Sequence, residues 1–240
     1  MKPVHIKAKP GDIAERAVIA GDPARVRQLA EMLEDVRLVN KNRDLLTYTG
    51  KYEGVPITVA VHGIGGPSAA IVVEELIMLG AKVLVRLGTT GAMLKGVKIG
   101  EIIIPTGAAY FIGGAALGQY APDACMPTAP HPEVIKSIIE TAHELNINYH
   151  LGPIVSSDAF YAEDPEFIKK WVSRGIIAVE MECATLFALG VMRKVKTGAV
   201  LVVSDNIVEA PEVFATAEEL REYVAKAAEL TFKALLKVKP

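Results

Sequence analysis

The sequence predicts an α/β protein, with a mixed central β-sheet flanked by helices and all 240 residues in one domain, 1–240. Three observations lead there. Short β-branched runs alternate with helical patterns from end to end, the order that builds a sheet with helices packed on its faces. The stretch Tyr48-Thr49-Gly50-Lys51-Tyr52-Glu53-Gly54-Val55-Pro56 reads as a hairpin, which adds antiparallel strands and makes the sheet mixed. Finally, 51% of the chain is hydrophobic, enough for one sizeable core, and no Gly/Ser linker, low-complexity tract or repeat divides it.

In chain order, the strands are expected at 17–20, 48–52, 57–61, 82–87, 101–105, 149–155, 176–179 and 198–203, each a run of Val, Ile, Leu, Ala, Thr or Tyr. Helices are expected at 23–33, 67–79, 132–145, 165–173, 181–191 and 217–236. Four of these open on a proline (Pro23, Pro67, Pro132, Pro165), which suits a first turn whose N–H groups have no intrahelical partner. The long uncharged stretch 102–122 is broken by Pro105 and by Gly107, Gly113, Gly114 and Gly118, so it reads as buried strand and glycine-rich loop rather than a spanning helix.

Composition excludes several functional classes. A formal net charge of −2 leaves no broad cationic footprint for nucleic acid or anionic lipid, so neither nucleic-acid nor membrane partners are expected. The opening residues carry lysines but no apolar h-region, and a cytoplasmic protein is expected. Two cysteines, Cys125 and Cys183, and five histidines show no metal-ligand spacing, so no metal is expected. Only Gln28 and Gln119 stand against plentiful Glu and Lys, a composition that leans towards a heat-adapted source. In such a source, Cys125 could pair with its copy in another subunit.

In open α/β sheets ligands bind beyond the carboxyl ends of strands, so the residues that follow each strand carry the functional reading. Val18-Ile19-Ala20 runs into Gly21-Asp22-Pro23 and a helix bearing Arg25, either an anion site at a helix N-terminus or an ordinary turn. Val83 to Gly91 places Arg86 on an apolar strand just ahead of Gly88 and the hydroxyls of Thr89 and Thr90. A charge there needs an anion or a structural carboxylate partner. In Val179-Glu180-Met181-Glu182 two carboxylates sit where a buried strand becomes a buried helix; vicinal sugar hydroxyls would satisfy them. The most hydrophobic strand ends in Ser204-Asp205, an acid that desolvation would keep neutral, or else a cap for the next turn. His62-Gly63-Ile64-Gly65-Gly66-Pro67 has the wrong glycine spacing for a dinucleotide fold and reads as a turn that lets backbone pass close to a ligand.

Taken together and in this order, the segments resemble the hexameric-type purine nucleoside phosphorylases over nearly the whole chain. His5 matches the family's opening histidine, Gly21 to Arg25 its G-D-P-x-R, and Arg43 the second arginine of its early loop. Arg86 to Gly91 match R-x-G-[ST]-x-G, and Ser156-Ser157-Asp158-Ala159-Phe160-Tyr161 resembles S-x-D-x-F-Y. Glu180 to Glu182 match E-M-E, and Ser204-Asp205 the terminal S-D. Within the family the chain looks closest to archaeal 5′-methylthioadenosine phosphorylases.

The resemblance implies that Gly21, Arg25, Arg86 and Thr89 bind phosphate, with Arg43 lent by a neighbouring subunit. Glu182 and Met181 would hold the ribose, with a neighbour's His5 near the 5′ position. Phe160, Val179, Glu180 and Ser204 would line the base site, and Asp205 would protonate N7. It further implies a homohexamer, a trimer of dimers with shared sites, that splits purine nucleosides (5′-methylthioadenosine, adenosine, inosine, guanosine) with phosphate as co-substrate and no cofactor. Two other readings remain: a methylthioadenosine/S-adenosylhomocysteine nucleosidase, which needs no phosphate-binding arginines, and a non-catalytic nucleoside-binding protein. Ala162-Glu163-Asp164-Pro165 stands where uridine phosphorylases carry Gln and Arg, which disfavours pyrimidines. The family's bacterial members place an arginine on the helix after the acid, and 212–220 holds none.

Overall fold

In the computed structural model, which describes residues 2–240, the amino-terminal half alternates as the sequence predicts. It contains β1 (Arg16–Ala20), α1 (Pro23–Ala30), β2 (Glu34–Asn40), β3 (Thr47–Tyr52), β4 (Val55–Val61), α2 (Gly66–Met78) and β5 (Val83–Ala92). The remainder comprises β6 (Ile102–Tyr110), α3 (Leu117–Tyr120), α4 (Pro132–Glu144), β7 (Tyr149–Ser156), α5 (Pro165–Val172), β8 (Ala178–Glu180), α6 (Cys183–Arg193), β9 (Lys196–Asn206) and α7 (Arg221–Lys237). Among the described residues no helix is long and apolar enough to cross a membrane.

All nine strands join one sheet in the order β2-β3-β4-β1-β5-β8-β7-β6-β9. Five pairings are parallel and four antiparallel, so the sheet is mixed. Because β9 also pairs with β5, the strands β5, β8, β7, β6 and β9 close into a ring from which β1, β4, β3 and β2 extend. Alternation within a strand separates two cores. Val18 and Val85 face one side, with Leu29 of α1, Ile138 of α4 and Leu230 of α7. Ala17, Ile19 and Leu84 face the other, with Val72 of α2 and Leu189 of α6. Helices therefore cover both faces.

Three of the proline-led helices carry a side-chain cap. Asp22 accepts from Ala24 N, His131 from Glu133 N and Asp164 from Phe167 N. The fourth, α2, has no such cap, and the N–H of its leading Gly65 is taken by Glu182 from across the fold.

Several boundaries differ from expectation, and each has a cause. Strand β2 was not anticipated: Glu34 to Leu38 are exposed, so Glu-Asp-Val-Arg-Leu carries no buried face to betray an edge strand. Its pairing with β3 is irregular in register. Strands β5 and β9 run past their expected ends, to Ala92 and Asn206, because they pair with each other along their whole length. That pairing slips once: Thr90 faces Val203 but Gly91 faces Asp205, leaving Ser204 as an extra residue. A bulge of this kind turns the following side chain to the other face, and here it brings Asp205 over Gly91. Helix α7 starts at Arg221 rather than 217, since Glu219 folds back to accept from both the N–H and the hydroxyl of Thr216.

Candidate active site

The parallel strands β1, β4, β5 and β9 end together at a cavity of about 680 Å³, with β8 crossing the end of β5 in the opposite direction. One end of the cavity is cationic. Gly21 follows β1, and a Cβ there would lie 2.8 Å from the carbonyl oxygen of Gly63, so only glycine lets the ends of β1 and β4 cross so closely. Asp22 caps α1, and Arg25 extends from its first turn into the cavity. Burial, reinforced by the neighbouring Arg86 charge, lowers the Arg25 pKa to about 10. Two guanidiniums near enough for one to lower the pKa of the other make this corner favourable to an anion.

Arg86 is 5% exposed and has the structural carboxylate partners that one of the two sequence readings calls for. Its Nε donates to Glu182 Oε2 at 3.0 Å, its Nη2 also bonds that oxygen, and Nη2 lies 3.3 Å from Glu180 Oε2. Its Nη1 has no partner. The ion pair is thus structural, and Nη1, enclosed over Gly88, is the one guanidinium nitrogen without a partner. Burial opposes the charge on Arg86, but Glu182 and Glu180 outweigh it and raise the pKa. The side chain folds over Gly88, where a Cβ would lie 1.3 Å from Nη1. Thr89 follows on the cavity wall.

The middle of the cavity is organised by the two glutamates. Glu182 Oε1 accepts from Gly65 N at 2.6 Å, and despite burial its pKa is lowered, chiefly by Arg86. Glu180 lines the cavity and also braces its wall: its carboxylate accepts from Ser156 Oγ at 2.5 Å, Glu182 N at 2.8 Å and Cys183 N at 2.9 Å, which holds the turn between β8 and α6. Burial raises its pKa, and the charge of Glu182 adds to this. Met181, between them, is half-buried on the wall.

At the far end of the cavity lie Val179, Phe160, Ser204 and Asp205, joined by Gly91, Phe214 and Glu163, which sequence reasoning did not select. Burial raises the pKa of Asp205, even though the Ser204 hydroxyl donates to its Oδ1 at 2.6 Å. The capping alternative for Asp205 falls to its neighbour. It is Asn206 whose Oδ1 accepts from Val208 N and Glu209 N, leaving Asp205 facing the cavity. Glu163 is raised mainly by burial, with a further push from Asp205.

His5 and Arg43 do not line this cavity. The His5 ring sits 2.8 Å from Glu75, and Asn42 Nδ2 donates to the His5 carbonyl at 2.9 Å, which fastens the amino-terminal segment to the 42–44 turn. Arg43, in that turn, is exposed with φ 56°. Cys125 is exposed and Cys183 buried. Among the described residues no group of His, Cys, Asp and Glu could hold a metal ion.

The family model of the phosphorylase superfamily matches residues 15–239, nearly the whole chain. The chain belongs to the phosphorylase superfamily. It is 34% identical over 239 residues to a guanosine phosphorylase of Halorubrum lacusprofundi, with 98% of each chain covered. It is 37% identical over 215 residues to a uridine phosphorylase of Thermococcus kodakarensis, covering 84% of this chain and 76% of that one. A purine nucleoside phosphorylase of Toxoplasma gondii, solved with immucillin-H, superposes with a TM-score of 0.89 at 29% identity. That superposition covers 98% of this chain and 96% of the other. The α/β fold with its mixed sheet and flanking helices is the fold of these superfamily members.

Two outcomes test this superfamily site. Gly88→Ala forces Arg86 off its carboxylates, so urea unfolding is expected to show a loss of roughly 2–4 kcal/mol, against no change if the guanidinium can move freely. Burial also lowers the His62 pKa from 6.5 to about 4. Below pH 6.5 the unfolded chain takes up a proton there that the folded chain refuses, so stability present above that pH is lost as pH falls towards 4. The loss from pH 7 to 5 is roughly 2 kcal/mol. His62→Gln removes that share of the loss; an equal slope in both proteins contradicts it.

Proposed function

We propose that this phosphorylase cleaves purine nucleosides reversibly with inorganic phosphate, releasing the free base and a ribose 1-phosphate. One observation carries the reading: a cationic corner formed by Arg25 and Arg86 and a protonatable carboxyl occupy opposite ends of one cavity. The names of the relatives support phosphorolysis as the chemistry.

As the glycosidic bond stretches, the ribose gains oxocarbenium character and the base gains negative charge, so help is needed at both ends. Phosphate held by Gly21, Arg25, Arg86 and Thr89 is nucleophile and counter-charge in one. Glu182 accepts from the ribose hydroxyls while Arg86 keeps it ionised. Asp205, already inclined to hold a proton, delivers it to the base N7. Ser204 orients that carboxyl, and Phe160 and Val179 flank the ring. No metal or organic cofactor takes part. Ile64 and Met181 leave an apolar wall beside the ribose that suits a 5′-methylthio group as well as a hydroxyl, so 5′-methylthioadenosine, adenosine, inosine and guanosine are the proposed substrates.

The active assembly in this proposal is a homohexamer with shared sites. His5 and Arg43 stand outside their own cavity on a common unit, and Ile64 exposes apolar surface on the cavity wall. Both features suit a neighbouring copy that brings its own His5 and Arg43 to the site. The paired arginines speak against the nucleosidase, for which an anion cradle has no use.

The test measures base release from each purine nucleoside and from uridine, with and without phosphate. Phosphate-dependent release of purine is expected, with Asp205→Asn slower by about 10²–10⁴-fold. Release without phosphate, or an Asp205→Asn protein at full rate, contradicts the proposal. Preference for uridine would move the base specificity to pyrimidines.

A further inference from the structure

Two carboxyls line the far end of the cavity, and the proposed reaction employs one of them. Asp205 lies near the end of β9 and Glu163 between the 160–162 turn and α5, yet both face the same space. Glu163 is fixed from both sides. Ala162 N donates to the Ala159 carbonyl at 2.9 Å, closing the turn before it, and Asp164, the next residue, caps α5 by accepting from Phe167 N at 2.8 Å. The same turn sets Phe160 on the cavity wall beside it.

The hydroxyls at this end are occupied or turned outwards. Thr90 donates to the Val179 carbonyl at 2.7 Å and Ser204 to Asp205 Oδ1 at 2.6 Å. Tyr161 is fully exposed at the rim, its ring edge-on to Phe160. Glu163 is half-buried. Burial raises its pKa, the hydrogen-bonded Ser157 hydroxyl opposes the rise, and the Asp205 charge adds to it, so the two carboxyls are neighbours in space. A glutamate in these surroundings takes up its proton closer to neutral pH than a free one does.

A purine presents two neighbouring groups to such a pair. N7 and the 6-substituent lie side by side on one edge of the ring; N7 accepts in every purine, whereas a 6-amino group donates and a 6-oxo group accepts. A Cβ on Gly91 would stand 3.0 Å from Asp205 Oδ2, so the missing side chain keeps that oxygen open to the base. With Asp205 at N7, the 6-substituent falls to the neighbouring carboxyl. A carboxylate can only accept a hydrogen bond, and a carboxylic acid can also donate one.

We propose that Glu163 sets which 6-substituent the site prefers: its carboxylate accepts from a 6-amino group, and its protonated form donates to a 6-oxo group. The inference rests on the proposed purine reading, with Asp205 at N7. Preference therefore follows pH, towards 6-aminopurines where Glu163 is ionised and towards 6-oxopurines as it gains its proton. The titratable groups facing Glu163 are Asp205 and, at the rim, Tyr161; Asp164 is committed to its cap, and Arg25 and Arg86 belong to the opposite end. Asp205 meets N7 of either base in the same way, so its own titration cancels from the ratio between them.

The test is calorimetric titration of adenine and of hypoxanthine, separately, into intact wild type and Glu163→Gln at about pH 7.5 and about pH 5.5, after a thermal melt has checked folding. Wild type is expected to bind adenine about tenfold more tightly than hypoxanthine at the higher pH, as one hydrogen bond to a charged partner allows, and the ratio is expected to fall about threefold or more at the lower pH. Glu163→Gln, whose amide both donates and accepts, is expected to bring the two bases within about threefold of each other at either pH. A wild-type ratio that ignores pH overturns the inference without any variant. So does an unchanged ratio in Glu163→Gln, and so does failure of wild type to bind either base. Free bases bind without any cleavage, so the two readings fail separately: discrimination through Glu163 in a protein that splits no nucleoside defeats the proposed reaction alone, and phosphorolysis with an unchanged ratio defeats the Glu163 role alone.

Discussion

The buried ion cluster of Arg86 with Glu182 and Glu180 is the constraint on which the rest of the site depends. A guanidinium on a central strand of a mostly apolar sheet is tolerable only with carboxylates close by, and an isolated one would be far costlier than any packing gain. The fold supplies them from the β8–α6 turn, 94 and 96 residues later in sequence. To hold Glu180 there, the chain commits the Ser156 hydroxyl and the N–H groups of Glu182 and Cys183. To seat the guanidinium it commits Gly88, and to hold Glu182 it commits the N–H of Gly65 just ahead of α2. Five elements are thereby locked around one charge.

That locking couples the two halves of the cavity. The same guanidinium that keeps Glu182 ionised also adds its charge to the corner that holds Arg25, so the middle and the cationic end share one rigid group. The opposite end is organised differently. There a single bulge residue, Ser204, turns Asp205 over Gly91 and donates to its carboxyl, while burial favours the protonated form. A site built this way separates its charges by position: a buried ion cluster at one end, and at the other an acid whose protonated form burial favours.

Much of this was legible because chemistry interrupts hydrophobic runs. Arg86 inside Val-Leu-Val-Arg-Leu, the Glu180 and Glu182 pair after Ile-Ala-Val, and Asp205 after Val-Leu-Val-Val each stand out against a pattern that otherwise codes for burial. The proline-led helices were legible through N-terminal chemistry that is local to a few residues. What escaped depends on contacts distant in sequence or on exposed backbone. Closure of the sheet through β5 and β9 needs strands more than a hundred residues apart, and β2 has no buried face to announce it. Glu163 and Phe214 reach the cavity from loops, where no periodicity marks direction. Two carboxylates in sequence looked alike, yet the fold ties Glu180 to the β8–α6 turn and Glu182 to Gly65 and Arg86, with both on the cavity wall.

The most direct measurement of the central claim is phosphate affinity of Arg86→Lys, whose folding is first checked by a thermal melt. Lysine keeps the charge but cannot span two carboxylates and a ligand at once, so phosphate affinity is expected to fall by about tenfold or more. A folded Arg86→Lys protein that binds phosphate as wild type does would mean that the guanidinium serves the scaffold alone, and the account of a shared charge would be wrong.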